Sequence, residues 1–169
     1  MSLLNIKTYH DSAIREKCTS VKSIGKEIQS LIDNMIETMY AAPGIGLAAT
    51  QVGASSRVIV IDTSFGEDPD ALLVLINPEI VYSEGEIEEE EGCLSVPGVT
   101  AKVKRAEKVK VKGLNREGKE VMIEADGLLA RVLQHEIDHI NGLVFVDRLS
   151  RAKKVLLKNK LKKIESENE

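Results

Sequence analysis

The sequence predicts an α+β fold in which antiparallel β-sheets pack around a central helix, with an N-terminal amphipathic helix and a C-terminal helix. Three segments with helical periodicity and several short runs rich in β-branched residues lead to this prediction. We expect residues 1–169 to form a single domain, because this length buries one ordinary core and no linker, repeat or low-complexity segment divides the chain.

The first predicted elements are an amphipathic helix and two buried strands. Apolar side chains recur at spacings of three and four between residues 24 and 39, and Pro43-Gly44 ends this helix. The apolar runs at residues 58–62 and 72–76 are short and rich in β-branched side chains. Such runs are typical of strands that lie inside a core.

The pattern changes to strict alternation beyond Val99. Val109 and Val111 alternate with lysines, and a second alternating run follows the turn-forming segment Asn115-Arg-Glu-Gly118. This arrangement predicts a β-hairpin with one face toward water.

A helix at residues 127–141 is predicted next, with Asp126 as its N-cap and Gly142 as its stop. It is apolar on nearly every side, so we expect it in the middle of the domain. It also carries the pentapeptide His135-Glu136-Ile137-Asp138-His139, which reads H-E-x-x-H.

Residues four apart on a helix differ by only about 40° around its axis, so both imidazoles can bind one transition-metal ion. Glu136 can flank that ion as a base without binding it. The alternative is a solvated helix whose sequence matches the motif by chance.

A catalytic site of the zinc type uses three protein ligands and leaves one position open. No histidine follows His139, so the extended protease motifs with a further histidine do not fit. Cys93 is the natural candidate, because a thiolate is a strong ligand and Gly92 allows a close backbone approach. The alternative for Cys93 is a buried, unreactive thiol.

Net charge, apolar runs and cysteine content exclude several classes of protein. The net charge of −4 argues against a general or sequence-specific nucleic-acid binder, and no apolar run is long enough for a membrane span. Two cysteines are too few for a disulfide framework, which indicates a reducing compartment. The basic helix predicted at residues 151–164 is either docked on the body or in contact with a polyanionic partner.

Three separated segments of the chain resemble the peptide deformylase family, whose members remove the formyl group from N-formylmethionine on new polypeptides. The segments are Gly44-Ile-Gly-Leu-Ala-Ala-Thr-Gln51, Glu91-Gly-Cys-Leu-Ser95 and Gln134-His-Glu-Ile-Asp-His139. They occur in the family's order, and the resemblance extends from the first helix to about Arg148. It implies a metal-dependent hydrolase that releases formate.

The resemblance also implies a metal site. Cys93, His135 and His139 would bind one divalent ion, ferrous iron in the family, which Zn2+, Ni2+ or Co2+ can replace. Water would take the fourth place. Glu136 would accept a proton from that water and later pass a proton to the leaving amine.

Further roles follow from the same resemblance. The side-chain amide of Gln51 and the backbone N–H of Leu94 would hold the oxygen that becomes negative during hydrolysis. Ile45, Gly46 and Leu47 would supply main-chain partners to the peptide, which binds as an added strand.

The methionine pocket is expected beside the metal helix. Leu128 and Val132 lie one or two turns before the histidines on nearly the same face, so we expect them to line it. The stem of Arg131 would border the pocket, and Arg105 would help to orient the peptide.

The expected partners are N-formylmethionyl nascent peptides and, through the basic C-terminal helix, the ribosome. The lysines available for that contact are Lys153, Lys154, Lys158 and Lys160. The expected location is the cytoplasm, with the bacterial cytosol and the mature form of an organellar enzyme both open. Two alternatives are a generic HExxH zinc endopeptidase and a non-catalytic, ribosome-associated interaction protein.

Overall fold

The computed structural model describes the backbone of residues 2–167 and the side chains of residues 2–164. Within this range the fold consists of three α-helices, seven β-strands and short 3-10 turns. The helices are α1 (Lys26–Ala41), α2 (Gly127–Ile140) and α3 (Arg151–Glu167). The strands are β1 (Gly46–Ala48), β2 (Val58–Ile61), β3 (Leu73–Glu84), β4 (Ile87–Cys93), β5 (Val96–Arg105), β6 (Lys108–Leu114) and β7 (Glu120–Asp126).

The strands form two antiparallel sheets. A five-stranded sheet has the order β1-β2-β3-β6-β7, and β4 with β5 forms a separate two-stranded sheet. Helix α2 contacts the strands of the larger sheet and contributes to the same hydrophobic cluster. The α+β fold predicted from the sequence is therefore confirmed, and β1 lies at an open edge of the larger sheet.

Helix α1 is the predicted N-terminal amphipathic helix. Ile32, Met35 and Met39 are fully buried on one face, where they pack against β1 and β2. Burial of a side chain of this size stabilises the fold by about 1.5–3 kcal/mol. The helix ends where predicted, and the N–H of Gly44 donates to the carbonyl of Met39.

Strand β3 continues beyond the apolar run that predicted it. Only its first half is buried, and the second half pairs with β6 through partly exposed residues such as Tyr82, which lies opposite Lys110. Strand residues are apolar where their side chains are buried, whereas pairing with a neighbouring strand does not require apolar side chains. The apolar run therefore ends at residue 76, although the strand continues to Glu84. The predicted hairpin is present in β6 and β7, with Val109 and Val111 turned inward.

The hairpin of β4 and β5 brings together an acidic block, residues 88–91, and a basic block, residues 102–105. Glu88 lies opposite Lys104, and Glu90 lies opposite Lys102. Cross-strand pairs of opposite charge contribute a few tenths of a kcal/mol each, up to about 1 kcal/mol, so the two blocks favour this register.

Helix α2 is central, as predicted, because every residue from 130 to 140 is buried. Gly142 has a φ of +82° and follows the helix as its predicted stop. Asp126 is the N-cap residue, as predicted, although its side chain makes no capping hydrogen bond. It is also the last residue of β7, with extended backbone angles and Lys108 as its partner in the sheet.

Helix α3 is docked on the body. Leu161 and Ile164 are buried in a cluster with Phe145 and Val146. By contrast, Val155 and Leu156 are 66% and 81% exposed, so the packed face is narrower than the apolar pattern. None of the helices in the described part of the chain has the length and hydrophobicity required to span a bilayer.

Candidate metal centre

Three side chains predicted as metal ligands converge at one point. The Sγ of Cys93, at the end of β4, lies 3.2 Å from Nε2 of His139, which lies 3.1 Å from Nε2 of His135. All three ligand atoms lie within 4.8 Å of one another. A tetrahedral ion bound to nitrogen and sulfur keeps its ligands roughly 3.3–3.6 Å apart. The arrangement therefore fits a metal ion.

Glu91 fixes the orientation of His135. The Nδ1–H of His135 donates to Oε1 of Glu91 at 2.9 Å. Burial raises the pKa of Glu91, but hydrogen bonds from His135 and Arg105 outweigh this and lower it to about 2. The carboxylate is therefore an acceptor only, and Nε2 of His135 is left facing Cys93 and His139.

The two histidines have opposite pKa shifts. Burial lowers the pKa of His139 well below its usual value, which keeps it in the neutral form that metals bind. Burial acts in the same direction on His135, but hydrogen bonds with the side chains of Cys93 and Glu91 raise its pKa well above the usual value. The carboxylates of Glu91 and Glu136 lie close to His135, and their negative charge favours a cation between the three ligand atoms.

Arg105 lies behind Cys93, His135 and His139 and does not line the cleft that opens onto them. Its guanidinium donates to both carboxylate oxygens of Glu91 and to Oδ2 of Asp138, and its side chain is 3% exposed. Arg148 donates to the same Asp138 carboxylate. Arg105 was expected to help to orient the peptide, but two buried carboxylates occupy its donors. It positions Glu91 and Asp138 instead.

Arg131 does line the cleft, as expected, but its charged group is also occupied. It donates to Glu91 and to the carbonyls of Val103 and Ile87. The side chain is therefore held as part of the wall, with its stem available for packing.

Glu136 is a buried carboxylate beside the ligands. It is 4% exposed, and among the described residues its Oε1 has no hydrogen-bond partner. Burial raises its pKa to about 7, and this outweighs the opposite effect of His135 and Arg105. A carboxylate with a pKa near neutrality can both accept and return a proton.

The amide of Gln51 is held with its N–H₂ toward the ligands. Its Oε1 accepts a hydrogen bond from the N–H of Ala48 at 2.9 Å. Its Nε2 donates to Oγ of Ser95 at 3.0 Å and lies 3.5 Å from Sγ of Cys93. Leu94 directly follows Cys93 and lines the same cleft.

A cleft of about 330 Å³ opens onto the metal ligands. Val132 is buried in its wall, whereas Leu128 is 54% exposed at its rim, so both residues expected to line the methionine pocket line this cleft. A larger recess of about 500 Å³ lies against β3, β6 and β7 and is lined mainly by charged side chains. We assign function to the smaller cleft because it contains the convergent ligands.

One wall of the cleft is the open edge of β1. The N–H of Asp62 donates to the carbonyl of Ile45, so this carbonyl and, by alternation, the main-chain groups of Leu47 are directed toward β2. Gly46 directs its own N–H and carbonyl toward the open edge. Of the three expected main-chain partners, Gly46 has the orientation required to pair with a peptide, whereas Leu47 is fully buried.

Sequence reasoning missed Glu91 and Asp138. A signal existed for both, since Asp138 lies in a helix that is apolar nearly all round, where an acidic side chain requires a partner. Glu91 lies only two residues before Cys93 in the sequence, which made it a candidate to support the same site.

The chain resembles proteins of known family over almost its whole length. Residues 3–155 match the family model described as polypeptide deformylase. A peptide deformylase of Thermodesulfovibrio yellowstonii is 57% identical over 96% of this chain and 98% of its own length. A peptide deformylase of Chromobacterium violaceum is 54% identical over 99% of both chains.

Solved structures give the same result. The crystal structure of a peptide deformylase from Legionella pneumophila has a TM-score of 0.91 and 47% identity, and the match covers 98% of this chain and 97% of that one. A peptide deformylase from Synechococcus elongatus in complex with actinonin has a TM-score of 0.88 and 42% identity, over 93% of this chain and 87% of that one.

Proposed function

Because the chain belongs to the polypeptide deformylase family, we propose that Cys93, His135 and His139 bind its catalytic metal ion, with Glu136 as general base. The enzyme removes the N-terminal formyl group from N-formylmethionine of newly synthesised polypeptides and releases formate. The observation that carries the assignment of residues is the convergence of one sulfur and two ring nitrogens beside a buried carboxylate with an unpartnered oxygen.

A divalent ion bound by these three side chains would act as a Lewis acid and would lower the pKa of a bound water from 15.7 to about 7. The carboxylate of Glu136 takes up the proton of the attacking water and returns a proton to the leaving amine. Its pKa of about 7 suits both steps at neutral pH.

Gln51 and the N–H of Leu94 stabilise the oxygen of the formyl carbonyl as it becomes negative. The position of the Gln51 amide supports this role, since Ala48 fixes its Oε1 and directs its N–H₂ toward Cys93. Donors fixed in this way need no reorganisation during the reaction, and each commonly lowers the barrier by about 3 kcal/mol.

The ion in the working enzyme is Fe2+, and Zn2+, Ni2+ or Co2+ replace it. One soft thiolate and two imidazoles suit all of these ions, so the ligand set alone does not choose among them. Metal analysis of protein purified without oxygen, together with a turnover assay for each ion, tests the choice.

The peptide binds as an extra strand against the open edge of β1. Gly46 supplies main-chain hydrogen bonds, and Ile45 contributes to the wall. The methionine side chain enters the cleft between Val132 and Leu128, next to the stem of Arg131. Replacing Val132 by a bulkier Phe should then raise KM for formyl-Met peptides more than it lowers kcat.

Release of formate from formyl-Met-Ala-Ser by the iron-loaded chain tests the function. We expect turnover by the unsubstituted protein and at least a 10³-fold lower kcat for Glu136→Gln, which keeps the side-chain shape but removes the base. Cleavage of an internal bond in a blocked peptide, without release of formate, would instead support the endopeptidase alternative, which the family assignment does not favour.

The basic face of α3 binds the ribosome. Lys154, Lys158 and Lys160 are exposed, whereas Lys153 reaches back to the carbonyl of Lys102. Exposed lysines on one helix bind a phosphate-rich particle with a strong dependence on salt.

The chain acts as one catalytic domain in the cytosol, where its thiolate ligand stays reduced. A single unfolding transition tests the domain organisation, and cell fractionation tests the location.

A further inference from the structure

Phe65 is a large apolar side chain at the rim of the cleft. It is 61% exposed, and it lines the same cleft as Cys93 and His135. Exposure deprives a phenylalanine of the stabilisation that burial would give. A single exposed apolar residue is ordinary, but Leu128 is exposed on the same cleft, and grouped apolar side chains in a binding groove mark a contact with a ligand.

The loop after β2 holds Phe65 in this place. The carboxylate of Asp62 accepts hydrogen bonds from the N–H and Oγ of Ser64, from the N–H of Gly66 and from the hydroxyl of Tyr40. Phe65 has a φ of +56°, a left-handed conformation that non-glycine residues rarely adopt. The surrounding hydrogen bonds therefore keep an unfavourable backbone conformation that directs the ring to the cleft.

Phe65 lies toward the end of the cleft that is farther from the chemistry. The main chain of Asp62 pairs with Ile45, just before β1 begins, and the chain then continues beyond that end of β1 to Phe65. Gln51 follows β1 and lies beyond its other end. A peptide on the open edge of β1, with its formyl group near Gln51, therefore extends toward Phe65. Leu128 is the second exposed apolar residue at this rim.

We propose that Phe65, together with Leu128, is a specificity-determining contact for the side chain of the third peptide residue and favours an apolar residue there. The inference rests on the proposed strand-like binding of the peptide at β1. Along such a strand, alternate side chains point to the same face. The first side chain, methionine, points into the cleft, the second points away, and the third returns to the cleft rim.

The experiment compares kcat/KM of the metal-loaded full chain on formyl-Met-Ala-Phe, formyl-Met-Ala-Ser and formyl-Met-Phe-Ser. We expect a preference of about fivefold or more for phenylalanine over serine at the third position, as is common for one apolar contact. Phe65→Asn should bring this ratio close to one, and Phe65→Leu should retain most of it. Asparagine is chosen because it tolerates the left-handed backbone, so the loop is preserved.

The matched control is Met122→Ala, which removes a side chain of similar exposure from β7, outside the cleft, and should leave the ratio unchanged. An unchanged ratio in Phe65→Asn would overturn the inference, and so would an effect confined to the second position. If the unsubstituted chain released formate from the peptides but showed no preference, this inference alone would fail. Absence of formate release from all three peptides would overturn the proposed function as well.

Discussion

A β-carbon on Gly46 would lie 2.5 Å from Oε2 of Glu136. The same β-carbon would lie 3.0 Å from Cγ1 of Val132, one turn earlier on α2. Glycine therefore lets the edge strand of the sheet approach the helix that carries Glu136, the proposed general base. Because the peptide is proposed to bind at this edge, the absence of a side chain brings the scissile group within reach of Glu136.

Gly46→Ala should lower activity far more than stability. The added methyl group must displace the flexible carboxylate of Glu136, and a shift of about 1 Å at a catalytic group can reduce the rate about 10²-fold. The free energy of unfolding should fall by less than about 2 kcal/mol, because the end of the Glu136 side chain can move and Val132 needs only a small shift. Formate release and urea unfolding measure the two effects. Gly25→Ala is the control, since no atom lies within 4 Å of a β-carbon there; equal turnover in both variants would contradict the prediction.

Glu91→Gln should weaken metal binding. The substitution keeps the shape but removes the charge that holds His135, Arg105 and Arg131. Loss of such a partner of a metal ligand typically reduces affinity about 10–100-fold. Breaking the buried ion pairs should also lower the free energy of unfolding by about 3–5 kcal/mol.

Competition with a chromogenic chelator measures the affinity of Glu91→Gln. Glu90→Gln is a suitable control, because Glu90 is exposed and bonds only to the hydroxyl of Thr100 among the described contacts. If both variants kept the affinity of the unsubstituted chain, Glu91 would have no role in orienting His135.

The convergence of Cys93, His135 and His139 could be predicted because part of the site is local in sequence. Helical periodicity alone placed His135 and His139 on one face, and the need for a third ligand pointed to Cys93. The partners of these residues could not be predicted in the same way. The bond between His135 and Glu91 joins residues 44 apart in sequence and exists only because α2 packs against the β4–β5 hairpin.

Arg105 shows the same limit for a charged residue. Its sequence position next to a strand is compatible with an exposed role in binding the peptide. The fold instead buries it between Glu91 and Asp138, which come from different elements. A single sequence contains no local pattern that pairs an arginine with two distant carboxylates.

Tyr40→Phe should make stability less sensitive to alkaline pH. Burial and the hydrogen bond to Asp62 raise the pKa of Tyr40 from 10.0 to about 12. Since the folded-state pKa lies above the unfolded one, the contribution of Tyr40 is complete below pH 10 and is lost as the pH rises toward 12. Urea unfolding across this range should show a steeper loss for the unsubstituted chain, and parallel curves would contradict the prediction. At neutral pH the variant should be less stable by about 1 kcal/mol.

Charge reversal on α3 should reduce ribosome binding without reducing peptide turnover. Lys154, Lys158 and Lys160 are exposed, whereas Leu161 and Ile164 pack in the core, so substitution is preferable to truncation. The triple change to glutamate should lower co-sedimentation with ribosomes and reduce its dependence on salt. The control reverses Lys22, Lys26 and Lys119, which are exposed elsewhere and give the same change in net charge. Equal loss of binding in both triple variants would indicate a general charge effect and would contradict a specific contact by α3.

Gln51→Glu separates the donor role of this side chain from its structural role. One carboxylate oxygen can still accept the N–H of Ala48, but the N–H₂ that faces Cys93 is lost. We expect kcat for formyl-Met-Ala-Ser to fall about 10²–10³-fold, because the donor acts on an oxygen that is negative only during the reaction. KM should change by less than about threefold, since the ground-state contacts remain. Gln29→Glu makes the same chemical change on α1, where the side chain bonds to Arg116, and should leave kcat unaltered. Unchanged kcat in Gln51→Glu at equal metal content would remove Gln51 from the mechanism and leave the N–H of Leu94 as the protein donor to that oxygen.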